Sequence, residues 1–132
     1  MIVDLHTHVL PGVDDGPRTT EEALAVIAAA AADGIGVLAA TPHVRRDYPT
    51  SPERMEARLV KLRAQLDGGA STPKLLPGGE ISLEFAAQMA DDELRRFASA
   101  LARSPERWRH LVRHAQDARV YEQIWDDEDV NA

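Results

Sequence analysis

The sequence predicts an α/β protein in which three strand-helix units come first and a helical segment follows. Three observations carry that prediction. Apolar runs at Ile2–Leu5, Ile35–Ala40 and Lys74–Ile81 alternate with stretches whose apolar residues recur at helical spacing. Gly, Pro and cap residues punctuate the junctions. Each run ends on or beside a histidine or a carboxylate, at the strand ends where parallel α/β folds gather their ligand sites.

Ile2–Leu5 reads as a buried strand, ended by His6 and by the turn-rich segment Pro11-Gly12-Val13-Asp14-Asp15-Gly16-Pro17. The capping box Thr19-Thr20-Glu21-Glu22 opens a helix with Leu24, Ile27, Ala28 and Ala31 on one face, and Gly34 closes it. Ile35–Ala40 is the second strand, and Thr41-Pro42-His43 leaves His43 on a loop, because proline ends regular structure. Ser51 as cap and Pro52 at the first helical position start an amphipathic surface helix carrying Met55, Leu59, Leu62 and Leu66, with Gly68-Gly69 beyond its end. Lys74 to Ile81 is the third strand, with Glu80 at its end. From Asp92 the rhythm changes to a helix reaching Ala102. A second helix starts at Ser104-Pro105 with Trp108, Leu111, Val112 and Ala115 on one face, and a strand pattern spans Ala118–Trp125 before an acidic end. Residues 1–97 are thus expected as one domain and 98–132 as a helical extension.

Composition narrows the function classes. A net charge of -7 argues against general nucleic-acid binding. The N-terminus carries no secretory pattern and no run is long enough to span a bilayer, so a cytoplasmic chain without a membrane span is expected. With Cys 0, any metal must be held by His, Asp and Glu, which suits Mn, Fe or Zn rather than a thiolate zinc site.

Residues two apart in an extended segment point the same way, so His6 and His8 can present both imidazoles to one ion. Taken singly each candidate is ordinary. H-x-H arises by chance, Asp14 and Asp15 are turn residues, His43 is a loop histidine and Glu80 a solvated carboxylate. Their joint placement at three successive strand ends is what makes His6, His8, Asp14, His43 and Glu80 a candidate ligand set. Arg45 and Arg46 follow as a candidate bidentate phosphate clamp, or as a solvated loop pair.

The segments Asp4-Leu5-His6-Thr7-His8-Val9-Leu10-Pro11-Gly12-Val13-Asp14-Asp15-Gly16, Ala40-Thr41-Pro42-His43 and Leu76-Pro77-Gly78-Gly79-Glu80-Ile81 resemble the PHP (polymerase and histidinol phosphatase) family. Within it they are most similar to the capsular-polysaccharide type of bacterial tyrosine-protein phosphatase. The resemblance covers about residues 1–95. It implies the opening three βα units of a distorted βα barrel and a cluster of divalent ions, usually manganese. It also implies hydrolysis of phosphate monoesters, phosphotyrosine proteins included, by metal-activated water. His6, His8, Asp14, His43 and Glu80 match family ligand positions, with Asp14 standing where some relatives place a histidine.

The family also draws ligands, including an Asp-x-His pair, from a second half that this sequence lacks. The expected alternative is therefore a truncated, inactive remnant that binds metal or acts as a folding or interaction module. A half barrel with uncovered edges also makes a homo-oligomer an expected partner state. His110 and His114 sit four apart on an expected helix and read as surface or packing residues. Residues 101–132 weakly resemble the stretch preceding the cupin barrel of bacterial cysteine-dioxygenase-like proteins. They include none of that barrel's iron-binding histidines and imply no such activity.

Overall fold

The computed structural model describes residues 1–97. The expectations for the end of the helix begun at Asp92, the helix at Ser104 and the strand at 118–125 lie outside them. The elements run β1 (Ile2–Thr7), α1 (Thr20–Ala32), β2 (Ile35–Ala40), β3 (His43–Arg45), β4 (Tyr48–Pro49), α2 (Pro52–Ala64), β5 (Lys74–Pro77), β6 (Glu80–Ile81), α3 (Leu83–Gln88) and α4 (Asp91–Phe97). They form a mixed α/β fold with two small sheets.

The helices begin where local chemistry starts them. Thr19 Oγ1 accepts from the backbone N–H of Glu22, and Ser51 Oγ accepts from that of Arg54, with Pro52 next in the chain. Ser82 caps α3 in the same way through the N–H of Phe85. That helix was not expected from the sequence, because its six residues are too few to show a period.

The larger sheet has the order β1-β2-β5, with β2 pairing parallel to both neighbours. Parallel strands need crossovers, and α1 and α2 lie in them, packing against β2 and β5. Leu38, Ala40 and Leu75 from the sheet meet Ala23 and Ile27 from α1 and Met55, Leu59 and Leu62 from α2. Val44 of β3 and Phe97 of α4 join this core, as do Val9, Leu10 and Val13 from the loop after β1, which ties that loop to the body of the fold.

Three expectations are corrected. His43 lies at the start of β3 rather than on a loop. Pro42 does end β2, but the chain turns at once into a second sheet of order β4-β3-β6, where β3 is antiparallel to β4 and parallel to β6. The run Lys74–Ile81 is likewise two strands in different sheets, split at Gly78-Gly79. A Cβ on Gly78 would meet Thr41 Cγ2 at 2.8 Å and the backbone oxygen of Ala40 at 3.2 Å, so this close crossing admits no larger residue without movement. Finally, β1 is not a buried strand, since Ile2 and Leu5 are each 55% exposed. It is an edge strand with β2 on one side, and among the described residues no layer covers it.

Candidate metal centre

The end of β1 is stitched to the end of β2 by two threonines. Thr7 Oγ1 donates to the carbonyl of Ala39 at 2.6 Å, and the N–H of Thr7 donates to Thr41 Oγ1 at 3.0 Å. The N–H of Thr41 returns a bond to the carbonyl of Thr7 at 2.7 Å. Because successive residues alternate in an extended chain, fixing Thr7 on one side presents His6 and His8 on the other. The N–H of His6 is held in turn by Asp4 Oδ1 at 3.0 Å.

Three donor atoms converge there. His6 Nε2 and His8 Nε2 are 3.1 Å apart, and Glu80 Oε2 lies 3.3 Å from the first and 3.0 Å from the second. Ligands about 2.1 Å from a divalent ion stand about 3.0 Å apart in an octahedron and about 3.4 Å apart in a tetrahedron. The triangle therefore has the dimensions of one face of a coordination shell. His8 Nδ1 lies 2.9 Å from Asp14 Oδ2, and with the ring proton assigned to that bond the neutral ring turns a lone pair at Nε2 toward the other two donors.

A second group adjoins the first through His8. His8, Asp14, Asp15 and His43 bring one ligand atom each within 4.8 Å of one another. His43 Nε2 lies 3.3 Å from Asp15 Oδ1, and His43 Nδ1 lies 3.2 Å from Glu80 Oε2. That Nδ1 is buried and has no aligned hydrogen-bond partner, despite the short distance to Glu80. A buried ring nitrogen facing a carboxylate without a hydrogen bond is what a cation would satisfy. The donor set, imidazole and carboxylate only, fits a divalent ion of the Mn, Fe or Zn kind.

Asp14 is the best-held of these groups, its side chain only 1% exposed. Burial alone would raise its carboxyl, but the N–H of His43, the His8 ring and the N–H of Gly16 together outweigh that and hold it below the ordinary 3.8. A depressed folded-state value means that the ionised group stabilises the fold at all pH above 3.8, and that this stabilisation is lost as pH falls through the lowered value. In metal-free protein, Asp14→Asn is accordingly expected to cost stability by a constant amount near neutral pH, with the gap to wild type closing below 3.8. Urea titrations across that range check it, and a gap that persists into acid would refute it.

The structure thus brings His6, His8, Asp14, His43 and Glu80 together. Arg45 and Arg46 are differently placed. Arg45 Nε donates to Asp47 Oδ1 at 2.6 Å, while Arg46 donates to Glu84 Oε1 at 3.0 Å with its side chain 85% exposed. Two neighbours were missed from the sequence. Asp15 joins the second group, although its place in a turn gave it a sufficient local explanation. Tyr48 stacks on His43, with ring centroids 5.8 Å apart and planes 18° apart, and only the hairpin pairing of β3 with β4 reveals it.

Comparison with known proteins places these features in a lineage. The sequence matches the family described as capsular polysaccharide synthesis, CpsB/CapC, over residues 2–105. It is 36% identical over 52 residues to the tyrosine-protein phosphatase CpsB of Streptococcus agalactiae, covering 39% of this chain and 21% of that protein. It is 30% identical over 83 residues to the tyrosine-protein phosphatase YwqE of Bacillus subtilis, covering 62% of this chain and 33% of the relative. Among solved structures it matches one from a study of YwqE from Bacillus subtilis and CpsB from Streptococcus pneumoniae, described as unique metal-dependent tyrosine phosphatases. That match has a TM-score of 0.56 and 31% identity, and covers 61% of this chain and 33% of the other. The chain therefore spans a third or less of the length of these relatives.

Proposed function

The chain belongs to the CpsB/CapC family of capsular polysaccharide synthesis, and on that premise we propose that it is a metal-dependent phosphoesterase acting on phosphate monoesters, phosphotyrosine among them. The observation that carries this is the convergence of His6 Nε2, His8 Nε2 and Glu80 Oε2 within 3.0 to 3.3 Å. In this reading His6, His8, Asp14, His43 and Glu80 hold the metal, with manganese the first ion to test and iron or zinc next. The three parallel strands then correspond to the opening βα units of a distorted barrel. No helix among the described residues is long and apolar enough to cross a membrane.

A divalent metal held here supplies Lewis-acid polarisation of a phosphoryl group and neutralises charge on the departing oxygen. The chain's own residues supply the rest. Asp14 orients the His8 ring through Nδ1, the kind of outer contact that fixes a ligating imidazole. Arg45, two residues beyond His43 on β3, stands on the same side of the strand and offers a bidentate donor to a bound phosphate. Arg46 can join it on leaving Glu84. No thiol nucleophile is available, since the sequence has Cys 0.

The test is hydrolysis of p-nitrophenyl phosphate and O-phosphotyrosine by the purified chain with added Mn2+. Turnover that is lost on chelation, restored by metal and absent in Glu80→Gln is the expected result. A second reading, a metal-binding module without turnover, draws on the openness of the centre, where the side chains of His6 and Glu80 are 58% and 42% exposed. Stoichiometric metal with no ester hydrolysed would decide for it against the first.

A further inference from the structure

The smaller sheet carries one side chain beside the candidate centre, Tyr48, that the proposed chemistry leaves unused. His43 pairs with Glu80 in the parallel register of β3 and β6, and Arg45 pairs with Tyr48 in the antiparallel register of β3 and β4. Directly opposed residues of neighbouring strands share a face, and so do residues two apart on one strand. Glu80, His43, Arg45 and Tyr48 therefore occupy one face of this sheet. Side-chain geometry agrees. The Tyr48 ring stacks on His43, and the Arg45 guanidinium carbon lies 5.6 Å from the Tyr48 centroid while its Nε donates to Asp47 Oδ1. Tyr48 is half-buried, neither sealed in the core nor fully exposed.

We infer that Tyr48, backed by Arg45, is the specificity-determining wall that receives the organic group of the ester and favours an aryl over an alkyl phosphate monoester. This rests on the phosphoesterase reading of the adjoining centre. In a phenyl phosphate a single ester oxygen separates phosphorus from the ring. A phosphoryl group held beside His43 and Glu80 thus leaves the aryl ring next to the side chain that stacks on His43. An aromatic ring gains from offset or edge-to-face contact with Tyr48, and an alkyl group has no π face to offer.

The experiment measures binding of phenyl phosphate and methyl phosphate to the Mn2+-loaded full chain by calorimetry, and reads their ratio. Wild type is expected to favour phenyl phosphate by about five- to tenfold, as one aromatic contact provides. Tyr48→Phe should keep that ratio and Tyr48→Ala should bring it to about one. Tyr48→Leu, which fills the space without a π face, should also lose most of the preference and guards against a folding defect in the alanine variant. A preference that survives in Tyr48→Ala and Tyr48→Leu overturns the inference. So does an equal loss of both ligands, which would make Tyr48 a prop beneath His43 and nothing more. Binding of methyl phosphate with no aryl preference in wild type sinks this inference alone, whereas failure of both esters to bind the metal-loaded chain sinks the phosphoesterase reading and this inference with it.

Discussion

His8→Ala is expected to lower the affinity of the chain for Mn2+ by about 100-fold or more, and to abolish any turnover with it. Loss of a contact that only orients a ligand already costs about 10- to 100-fold in affinity, so loss of the ligand itself should cost at least the upper figure. His8 is singled out because it alone belongs to both groups, with Nε2 facing His6 and Glu80 and Nδ1 facing Asp14. Its removal breaks both and leaves the buried Asp14 carboxylate without one of its donors. His6→Ala should be milder, since His6 enters one group only and is more exposed than His8. Competition titration against a chelator measures the affinities. A parallel thermal scan should show metal raising the midpoint of wild type and not of His8→Ala, because an ion that binds only the folded state stabilises it by an amount that grows with the logarithm of its concentration over Kd. Retention of wild-type affinity within about threefold in His8→Ala would remove His8 from the ligand set, given the cost expected of any ligand.

Leu38→Ala is expected to be the most damaging single truncation in the sheet, at about 3 kcal/mol and up to about 5. Leu38 is 1% exposed on the central strand β2, with Leu75 of β5 beside it in register and the helix residues Ile27, Met55 and Leu59 in the same core. A neighbourhood tied together from both sides by helices and strands collapses poorly into a void. Since a domain commonly holds only about 5–15 kcal/mol in all, the variant should populate unfolded chain at modest urea. Val60→Ala on the exposed side of α2, where Val60 is 63% exposed, should shift stability by no more than about 0.5 kcal/mol. Urea midpoints followed by circular dichroism compare the two, with the slope unchanged if only stability is affected. Equal shifts would show that the core is not organised around β2.

Local chemistry was legible in the sequence and long-range assembly was less so. Thr19, Ser51 and Pro52 marked the helix starts because a cap depends on a few neighbouring residues. The reciprocal half of the expected capping box is displaced by one position, since Glu22 Oε2 accepts from the N–H of Arg18 rather than of Thr19. The strand status of His43 was hidden, because β3 and β4 are too short to show alternation and the β6 partner lies far along the chain. The exposure of Ile2 and Leu5 was hidden for a different reason. An apolar run reports what a strand can bury, whereas burial itself belongs to whatever lies over it. The candidate ligands were readable as types at strand ends, but the fact that Glu80 reaches His6, His8 and His43 at once comes from the crossing at Gly78-Gly79, which no spacing rule contains.

The edge strand has a thermodynamic consequence for the centre at its end. Among the described residues β1 pairs only with β2, so its other side is an open strand edge beside exposed Ile2 and Leu5, with His6 near the far end of the same strand. A strand that settles along this side buries apolar surface and brings its own side chains up to His6. If one of them joins the cluster, ion capture and strand capture become a single coupled equilibrium. Reciprocity then requires that whatever factor the docked strand adds to ion affinity, the ion adds to the affinity for the strand. On the metal-site reading proposed above, filling of the edge and filling of the ion site would then each report on the other.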